Sequence, residues 1–269
     1  MSQIHLTPLN QLDEILDRLS STGLLGLKSE LESEGIRFTE LSTLNILAKS
    51  RGLKTALKIG GAEAKSDLIV AFEQLTDYVI APMIETEYAA HKCVLLFREL
   101  MDRSLLNHPA LLINIETKTA FANLDDIIRV AKPTIAGVVF GRVDYTLSYG
   151  LSRAEVLSSQ VCDAVLEVSR VCKANDLEFV LGGGVSVDSI DFLKQLTDIR
   201  LDRFETRKCI LSSDSLFSPS IYQVLQDCVL AELLWLKLKS TSYLQLSRED
   251  SARIEMLEKR HLYNISSCN

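Results

Sequence analysis

Hydrophobic residues along the chain fall into short continuous runs separated by longer segments with helical periodicity. The runs are apolar at successive positions, as strands buried on both faces of a parallel sheet require. They predict seven strands, at residues 24–28, 56–59, 78–83, 111–115, 136–140, 179–181 and 203–206. Amphipathic helices are predicted between them, for example at residues 66–74, 87–101, 124–130, 153–174 and 189–195. Strands that alternate with helices indicate either an open doubly wound sheet or a closed barrel.

Two features favour a closed (β/α)8 TIM barrel over the open sheet. No GxGxxG motif, the mark of dinucleotide-binding open sheets, follows the first predicted strand. Polar and charged residues instead follow strand after strand, where a barrel assembles its site from many loops. We place the eighth strand either near the N-terminus or at residues 209–212. Because no linker-like tract interrupts the chain, we expect residues 1–269 to form a single TIM-barrel domain.

The C-terminal segment departs from the barrel pattern. Ser218 and Pro219 resemble the cap and first turn of an apolar-rich helix. A turn is predicted at residues 240–246, before a last helix that Ser247 would cap. We therefore predict a C-terminal helical hairpin over residues 219–262 as an extension of the barrel. Packing on the barrel and contact with a second subunit in a homo-oligomer are both open.

Composition and charge exclude several classes of partner and site. A net charge of −7 argues against nucleic acid, because such proteins need clustered cations to displace counterions. No apolar run approaches the roughly 20 residues needed to cross a bilayer, and the N-terminus lacks a secretion signal pattern, so we expect no membrane partner and a cytoplasmic location. The six cysteines are scattered without a CxxC pair, so we expect them to be reduced packing residues.

Charged residues recur at the ends of the first two predicted strands. Lys28, Glu30 and Glu32 alternate, so an extended chain would point all three side chains to one side. This favours a position at the barrel mouth, with a solvated loop as the alternative. Lys58 ends the second strand and is followed by Gly60, which would let a ligand approach the backbone.

Carboxylates follow two strands that are neighbours in the barrel. Glu116 comes after the fourth strand and Asp144 after the fifth, so the two side chains would lie side by side. A single carboxylate there could be a helix cap, but two that converge suit a hard ion such as Mg²⁺ or Mn²⁺. The glycines at 182–184 could present backbone amides to an anion, and Arg207 adds a cation near the mouth.

At these residues the sequence resembles the HpcH/HpaI aldolase and citrate lyase beta-subunit family, whose members are pyruvate- and phosphoenolpyruvate-type barrels. The resemblance rests on Ile-Asn-Ile-Glu-Thr at 113–117 and on Val-Val-Phe-Gly-Arg-Val-Asp at 138–144. It implies that Glu116 and Asp144 hold a divalent metal ion. It also implies that Lys58 stands where relatives carry an arginine that binds the substrate carboxylate.

The chain looks like a divergent subgroup of that family. The Asp and His base pair of the aldolases has no counterpart, since Lys28, Glu30 and Glu32 occupy the corresponding stretch. A lysine at position 58 also gives up the bidentate grip that an arginine has on a carboxylate. The resemblance therefore implies the metal site more strongly than the reaction.

Our leading hypothesis is a metal-dependent carbon–carbon lyase or aldolase that acts on a 2-oxo acid, with Mg²⁺ or Mn²⁺ as cofactor. Glu30 or a metal-bound water would move the proton, and Lys58 with Arg142 or Arg207 would neutralise the carboxylate. The substrate-binding candidates are Lys28, Lys58, Gly60 and Arg207. Two alternatives are a Schiff-base aldolase that uses Lys28, Lys58 or Lys208, and a non-catalytic barrel that binds a small ligand or a protein.

Overall fold

Eight strands close into a barrel in this computed structural model, which describes residues 7–104 and 108–267. The strands are β1 (Leu24–Glu30), β2 (Lys54–Lys58), β3 (Tyr78–Ala81), β4 (Ala110–Ile115), β5 (Gly137–Gly141), β6 (Glu178–Gly182), β7 (Arg203–Glu205) and β8 (Cys209–Ser212). Strands β1 to β7 are parallel, and each pairs with the next along the chain. The (β/α)8 barrel predicted from the sequence is confirmed.

Helices surround the barrel, and most of them connect successive strands. They are α1 (Pro8–Ser20), α2 (Phe38–Lys49), α3 (Lys65–Glu73), α4 (Glu87–Arg103), α5 (Lys118–Ala122), α6 (Leu124–Ala131), α7 (Arg142–Ser148), α8 (Ser159–Asn175), α9 (Ile190–Thr197) and α10 (Ile221–Ser267). The carboxyl ends of the parallel strands therefore open at one face of the barrel, which we call the mouth. No helix of the described residues is long and apolar enough to span a membrane.

The eighth strand runs in the direction opposite to the other seven. Strand β8 pairs antiparallel with both β7 and β1, and three residues, 206–208, connect it to β7. The backbone N–H of Thr206 donates to the carbonyl of Cys209 at 2.9 Å, which closes this hairpin. Because β7 ends at the mouth, the hairpin carries Arg207 and Lys208 there. One of the two positions considered for the last strand, residues 209–212, is correct.

The buried hydrophobic residues form two layers. The larger layer lies between the strands and the surrounding helices. The smaller one fills the barrel interior with one residue from each of six strands, namely Ala56, Ile80, Leu112, Val139, Val180 and Ile210. Since interior side chains of a barrel pack in layers, this apolar layer forms a floor on which polar side chains near the mouth can be held.

The predicted C-terminal hairpin is wrong, because α10 is a single continuous helix over Ile221–Ser267. The segment contains neither glycine nor proline to end the helix. The hydroxyls near the predicted turn bond back within the helix, from Thr241 to the Lys237 carbonyl at 3.0 Å and from Ser242 to the Leu238 carbonyl at 3.2 Å. These hydroxyl groups therefore pair with carbonyls of the preceding helical turn, and the helix continues through the predicted turn.

Helix α10 runs back towards the mouth because β8 is reversed. Helix α10 packs on α1, and near the N-terminal end of α10 Asp227 accepts two hydrogen bonds from Arg18, of 2.7 and 2.9 Å. Further along, Lys239 lies 3.2 Å from Glu40, in the first turn of α2, and Tyr243 donates a hydrogen bond to the same carboxylate. Val229 and Glu232 of α10 also reach the cavity at the mouth.

Candidate functional site

A cavity of about 440 Å³ lies at the mouth of the barrel. Its floor includes Ile80 and Val139 of the interior layer, and most of its wall is polar or charged. No histidine of the described residues lines this cavity. The chemistry available there therefore belongs to carboxylates, lysines, arginines and backbone amides.

Glu116 lies directly after β4 and lines the cavity, with only 1% of its surface exposed. Its Oε2 accepts a hydrogen bond of 2.7 Å from Asn114 Nδ2, and its Oε1 accepts one of 3.0 Å from the amide of Met83. Met83 has a left-handed φ of 54°, a strained conformation for this residue, at the point where its amide binds Glu116. The carboxylate is thus held in one orientation.

Burial raises the pKa of the Glu116 carboxyl above its ordinary value. The ammonium of Lys58, 3.3 Å from Oε2, works in the opposite direction, while the charge of Asp144 adds to the effect of burial. Two carboxylates that lie close together in a buried place repel each other. A cation between them stabilises their charged forms.

Asp144 lines the same cavity from the first turn of α7, which begins directly after β5. Gly141 ends β5, and a Cβ atom there would come within 2.8 Å of Glu116 Oε2. Only glycine leaves room for the Glu116 carboxylate at this point of the wall. Glu116 and Asp144 therefore line one cavity, after two strands that pair with each other.

The donor atoms around this pair fit a hard divalent ion. Among the described residues no cluster of three or more His, Cys, Asp or Glu side chains could hold a metal ion. Glu116 and Asp144 would therefore supply two oxygen ligands, and water and substrate the others, as Mg²⁺ and Mn²⁺ prefer. Asn114 Oδ1, beside Glu116 in the cavity wall, is buried and has no hydrogen-bond partner, so this corner also offers an unused oxygen.

The opposite half of the cavity is built from β1 and β7. Lys28 Nζ lies 2.5 Å from Glu205 Oε1 and 3.5 Å from Glu30 Oε1, and all three side chains are buried. Burial acts to lower the pKa of Lys28, but Glu205 and Glu30 outweigh it, so the net pKa is raised. Lys28 is therefore a protonated cation that holds two carboxylates together.

Glu30 keeps its negative charge in this surrounding. Burial would raise the pKa of its carboxyl, but Lys28, a hydrogen bond from Ser33 and Arg207 together bring the net pKa below its ordinary value. Arg207 Nη2 lies 3.9 Å from Glu30 Oε2 and Arg207 Nε 3.1 Å from Glu34. The structure thus brings Lys28, Glu30 and Arg207 together in one cavity.

Lys208, the neighbour of Arg207 in the hairpin, is buried and paired with Glu34, and burial lowers its pKa. It does not line the cavity. The two cations of the hairpin therefore tie the loop that follows β1 to the mouth of the barrel.

Three sequence predictions about site residues are corrected. Arg142 is 0% exposed and lies behind the cavity wall, where its Nη2 donates to Ser189 at 3.2 Å. It starts α7, and the helix turns its side chain away from the mouth. Gly60 is outside the cavity, and its amide donates to Asp67 at 2.7 Å. Glu32 is exposed beside Gly60, because β1 ends at Glu30 and the alternation ends with it.

Sequence reasoning missed several residues of the cavity wall, among them Glu205, Asn114 and Arg153. Glu205 lies in β7 and lines the cavity, but only the two cations that follow it in the sequence were predicted at the mouth. Asn114 stands two positions before Glu116 on β4, so the period of two already places both side chains on one face. Arg153 lies in a short 3-10 turn, Arg153–Glu155, where the sequence predicted the start of a long helix.

Comparisons with known proteins agree with this architecture. An HpcH/HpaI aldolase from Desulfitobacterium hafniense DCB-2 superposes with a TM-score of 0.58 at 14% identity, over 72% of this chain and 82% of that one. A family protein from Burkholderia cenocepacia J2315 gives 0.60 at 13%, over 88% and 90%. The citrate synthase SbnG gives 0.58 at 18%, over 74% and 81%. At these identities the structures show a shared fold.

No curated protein sequence matches the chain. The model of one family, described as HpcH/HpaI aldolase/citrate lyase, matches residues 54–190, which is just over half of the chain and includes both Glu116 and Asp144. With the barrel and the paired carboxylates in place, this match shows that the chain belongs to the HpcH/HpaI aldolase/citrate lyase family.

Proposed function

We propose that the protein is a divalent-metal-dependent carbon–carbon lyase or aldolase that acts on a 2-oxo acid. The observation that carries this proposal is that Glu116, Asp144 and Lys58 line one cavity at the barrel mouth. Two carboxylates can hold a metal ion, and an ammonium beside them can bind the carboxylate of a substrate. Membership of an aldolase and citrate lyase family supports the same class of reaction.

Glu116 and Asp144 would hold Mg²⁺ or Mn²⁺. Such an ion, when bound, supplies a Lewis acid that stabilises negative charge on the oxygen of an enolate. Lys58, with 18% of its side chain exposed, can contact a substrate carboxylate while its charge stays close to Glu116. Its role is to fix the 2-oxo acid in position and to balance its charge.

Proton transfer falls to Glu30 in this proposal. In the cleavage direction the substrate is a 4-hydroxy-2-oxo acid, and Glu30 takes the proton of its 4-hydroxyl group. The C3–C4 bond then breaks: the electron pair of this bond forms the enolate, and C4 becomes an aldehyde carbonyl. The enolate then takes a proton at C3 and leaves as the 2-oxo acid. A lowered pKa keeps Glu30 ionised at neutral pH, as a base must be, and Ser33 holds its Oε2 by a hydrogen bond.

Exchange of the pyruvate methyl protons for deuterium tests the proposal without knowledge of the second product. The wild-type protein with Mn²⁺ or Mg²⁺ should catalyse the exchange, followed by NMR, and a chelator should stop it. A protein that exchanges equally well with the chelator would refute the metal route, and one that never exchanges pyruvate would refute the enolate chemistry.

Borohydride reduction in the presence of pyruvate separates this mechanism from a Schiff-base aldolase. Lys28 has a raised pKa and two carboxylate partners, so it is a poor nucleophile. Lys208 has a lowered pKa but lies outside the cavity. We therefore expect the protein mass to stay unchanged, and a reduced adduct on any lysine would overturn the mechanism.

A further inference from the structure

A second cavity lies outside the barrel, between the start of α2 and the middle of α10. Its volume is about 200 Å³, and it shares no lining residue with the cavity at the mouth. One wall is formed by a single face of α10 and contains mainly apolar and aromatic side chains, namely Trp235, Leu238, Tyr243 and Leu246. The opposite wall is formed by the first two turns of α2 and the residue before it, Arg37. The cavity therefore offers an apolar surface next to charged groups.

Glu40 is the carboxylate of this cavity, and its charge is already balanced within the protein. It accepts hydrogen bonds from the backbone N–H of Arg37, at 3.0 Å, and from the hydroxyl of Tyr243. Lys239 Nζ lies 3.2 Å from the same carboxylate. Burial acts to raise the pKa of Glu40, but these donors outweigh it, so the net pKa is lowered. Glu40 is therefore an ionised group that joins α2 to α10, and it uses the charge of Lys239.

The side chain of Arg37, in contrast, has no acidic partner. Its Cζ lies 4.4 Å from the centroid of the Tyr243 ring, and it forms no ion pair with any carboxylate in the part of the chain that the structure describes. A cation–π contact leaves N–H donors of the guanidinium available for an acceptor. With two cations and one carboxylate in its wall, the cavity has a net positive charge, and the uncompensated part belongs to Arg37.

We propose that this cavity is a binding site for a small monocarboxylate with an apolar body. The carboxylate pairs with Arg37, and the apolar body lies on Trp235, Leu238 and Leu246. One uncompensated cation matches a single negative charge, and a volume below the usual range for drug-sized ligands requires a small molecule. Because the site is separate from the barrel mouth, the inference goes beyond the proposed function and does not depend on it.

Fluorescence titration with hexanoate tests the site, because Trp235 is the only tryptophan of the chain and lines this cavity. Hexanoate at constant ionic strength should change the emission of the wild-type protein in a saturable way. Hexanamide has nearly the same shape but no charge, and it should bind at least about fivefold more weakly, as expected for loss of a charge-assisted hydrogen bond. In Arg37→Ala, hexanoate should bind no more tightly than hexanamide.

Two further variants locate the binding site. Lys58→Met removes a cation from the barrel mouth and should bind hexanoate as the wild type does. Ser242→Phe places a large side chain in the second cavity, from an exposed position on α10, and should abolish the response.

The site would be overturned by a wild-type protein without a saturable response, or by equal affinities for hexanoate and hexanamide. Wild-type affinity for hexanoate in Arg37→Ala or in Ser242→Phe would overturn it as well. A loss in Lys58→Met as large as that in Arg37→Ala would assign the anion to the mouth and contradict the proposal.

Discussion

The two halves of the cavity differ in origin and in how their charges are balanced. The half with Glu116 and Asp144 lies within residues 54–190, which match the family model, whereas β1 and the β7–β8 hairpin lie outside that match. In the first half the buried Glu116 and the half-buried Asp144 line one wall, and Lys58 of β2 lies 3.3 Å from Glu116. In the second, Lys28 pairs with Glu205 and Glu30. The proposed metal ligands thus lie in the part of the chain that the family model matches, and the proposed proton-transfer group lies outside it.

Replacement of Lys28 by Met should have the largest effect on stability. It leaves Glu205 and Glu30 buried without their cation, which costs about 3–5 kcal/mol of the free energy of unfolding. Urea unfolding measures this loss. Lys54→Met is a matched control, because its exposed pair with Asp77 should contribute less than about 1 kcal/mol. Similar small losses in both variants would show that the second half is not held by its charges.

Replacement of Glu30 by Gln should slow deuterium exchange into pyruvate by about 10²-fold, the scale of general acid–base catalysis. Binding of Mn²⁺ and oxalate should be retained, because Glu30 belongs to the half without the metal ligands. Glu32→Gln changes an exposed carboxylate two residues away and should exchange at the wild-type rate. A fully active Glu30→Gln variant would assign the proton transfer to another group.

Gly141→Ala tests the first half without removal of a ligand. The added methyl group would lie 2.8 Å from Glu116 Oε2 and should shift that carboxylate, which we expect to weaken Mn²⁺ binding about tenfold. Gly60→Ala is the control: its methyl group meets the flexible, exposed side chain of Glu32 and not the cavity. Equal Mn²⁺ affinities in the two variants would mean that Gly141 does not shape the site.

Lys58→Arg should have the smallest effect. It keeps the positive charge beside Glu116, so oxalate affinity and exchange should change by about threefold or less, although the geometry differs. Lys58→Met removes the charge and should lose substrate affinity. If the arginine variant is as inactive as the methionine variant, then the ammonium does more than balance charge.

The sequence predicted the barrel and the position of Glu116 and Asp144 at its mouth because both depend on local patterns. Continuous apolar runs give buried strands, and the positions of Glu116 directly after β4 and of Asp144 in the first helical turn after β5 place them on one rim. A reversed β8 could not be inferred, since a strand of four residues carries no signal of its direction. The continuous α10 was missed because serine and threonine suggest a turn, while here they bond within the helix.

Other features of the site depend on contacts between distant segments. Arg142 follows β5 directly and looked like a mouth residue, but the start of α7 turns it behind the wall towards Ser189. The pairing of Lys28 with Glu205 joins residues that are 177 positions apart, which no single-sequence pattern reveals. Such pairings exist only once the barrel closes.

Titration of Mn²⁺ into the metal-free protein, with a calorimeter, tests the central claim most directly. Glu116→Ala and Asp144→Ala should each lose most of the affinity, by about a hundredfold or more, and circular dichroism should show an intact fold, because strand-end residues contribute little to the core. Glu205→Gln, in the other half of the cavity, should bind Mn²⁺ as the wild type does. Unchanged binding in both alanine variants would contradict the account.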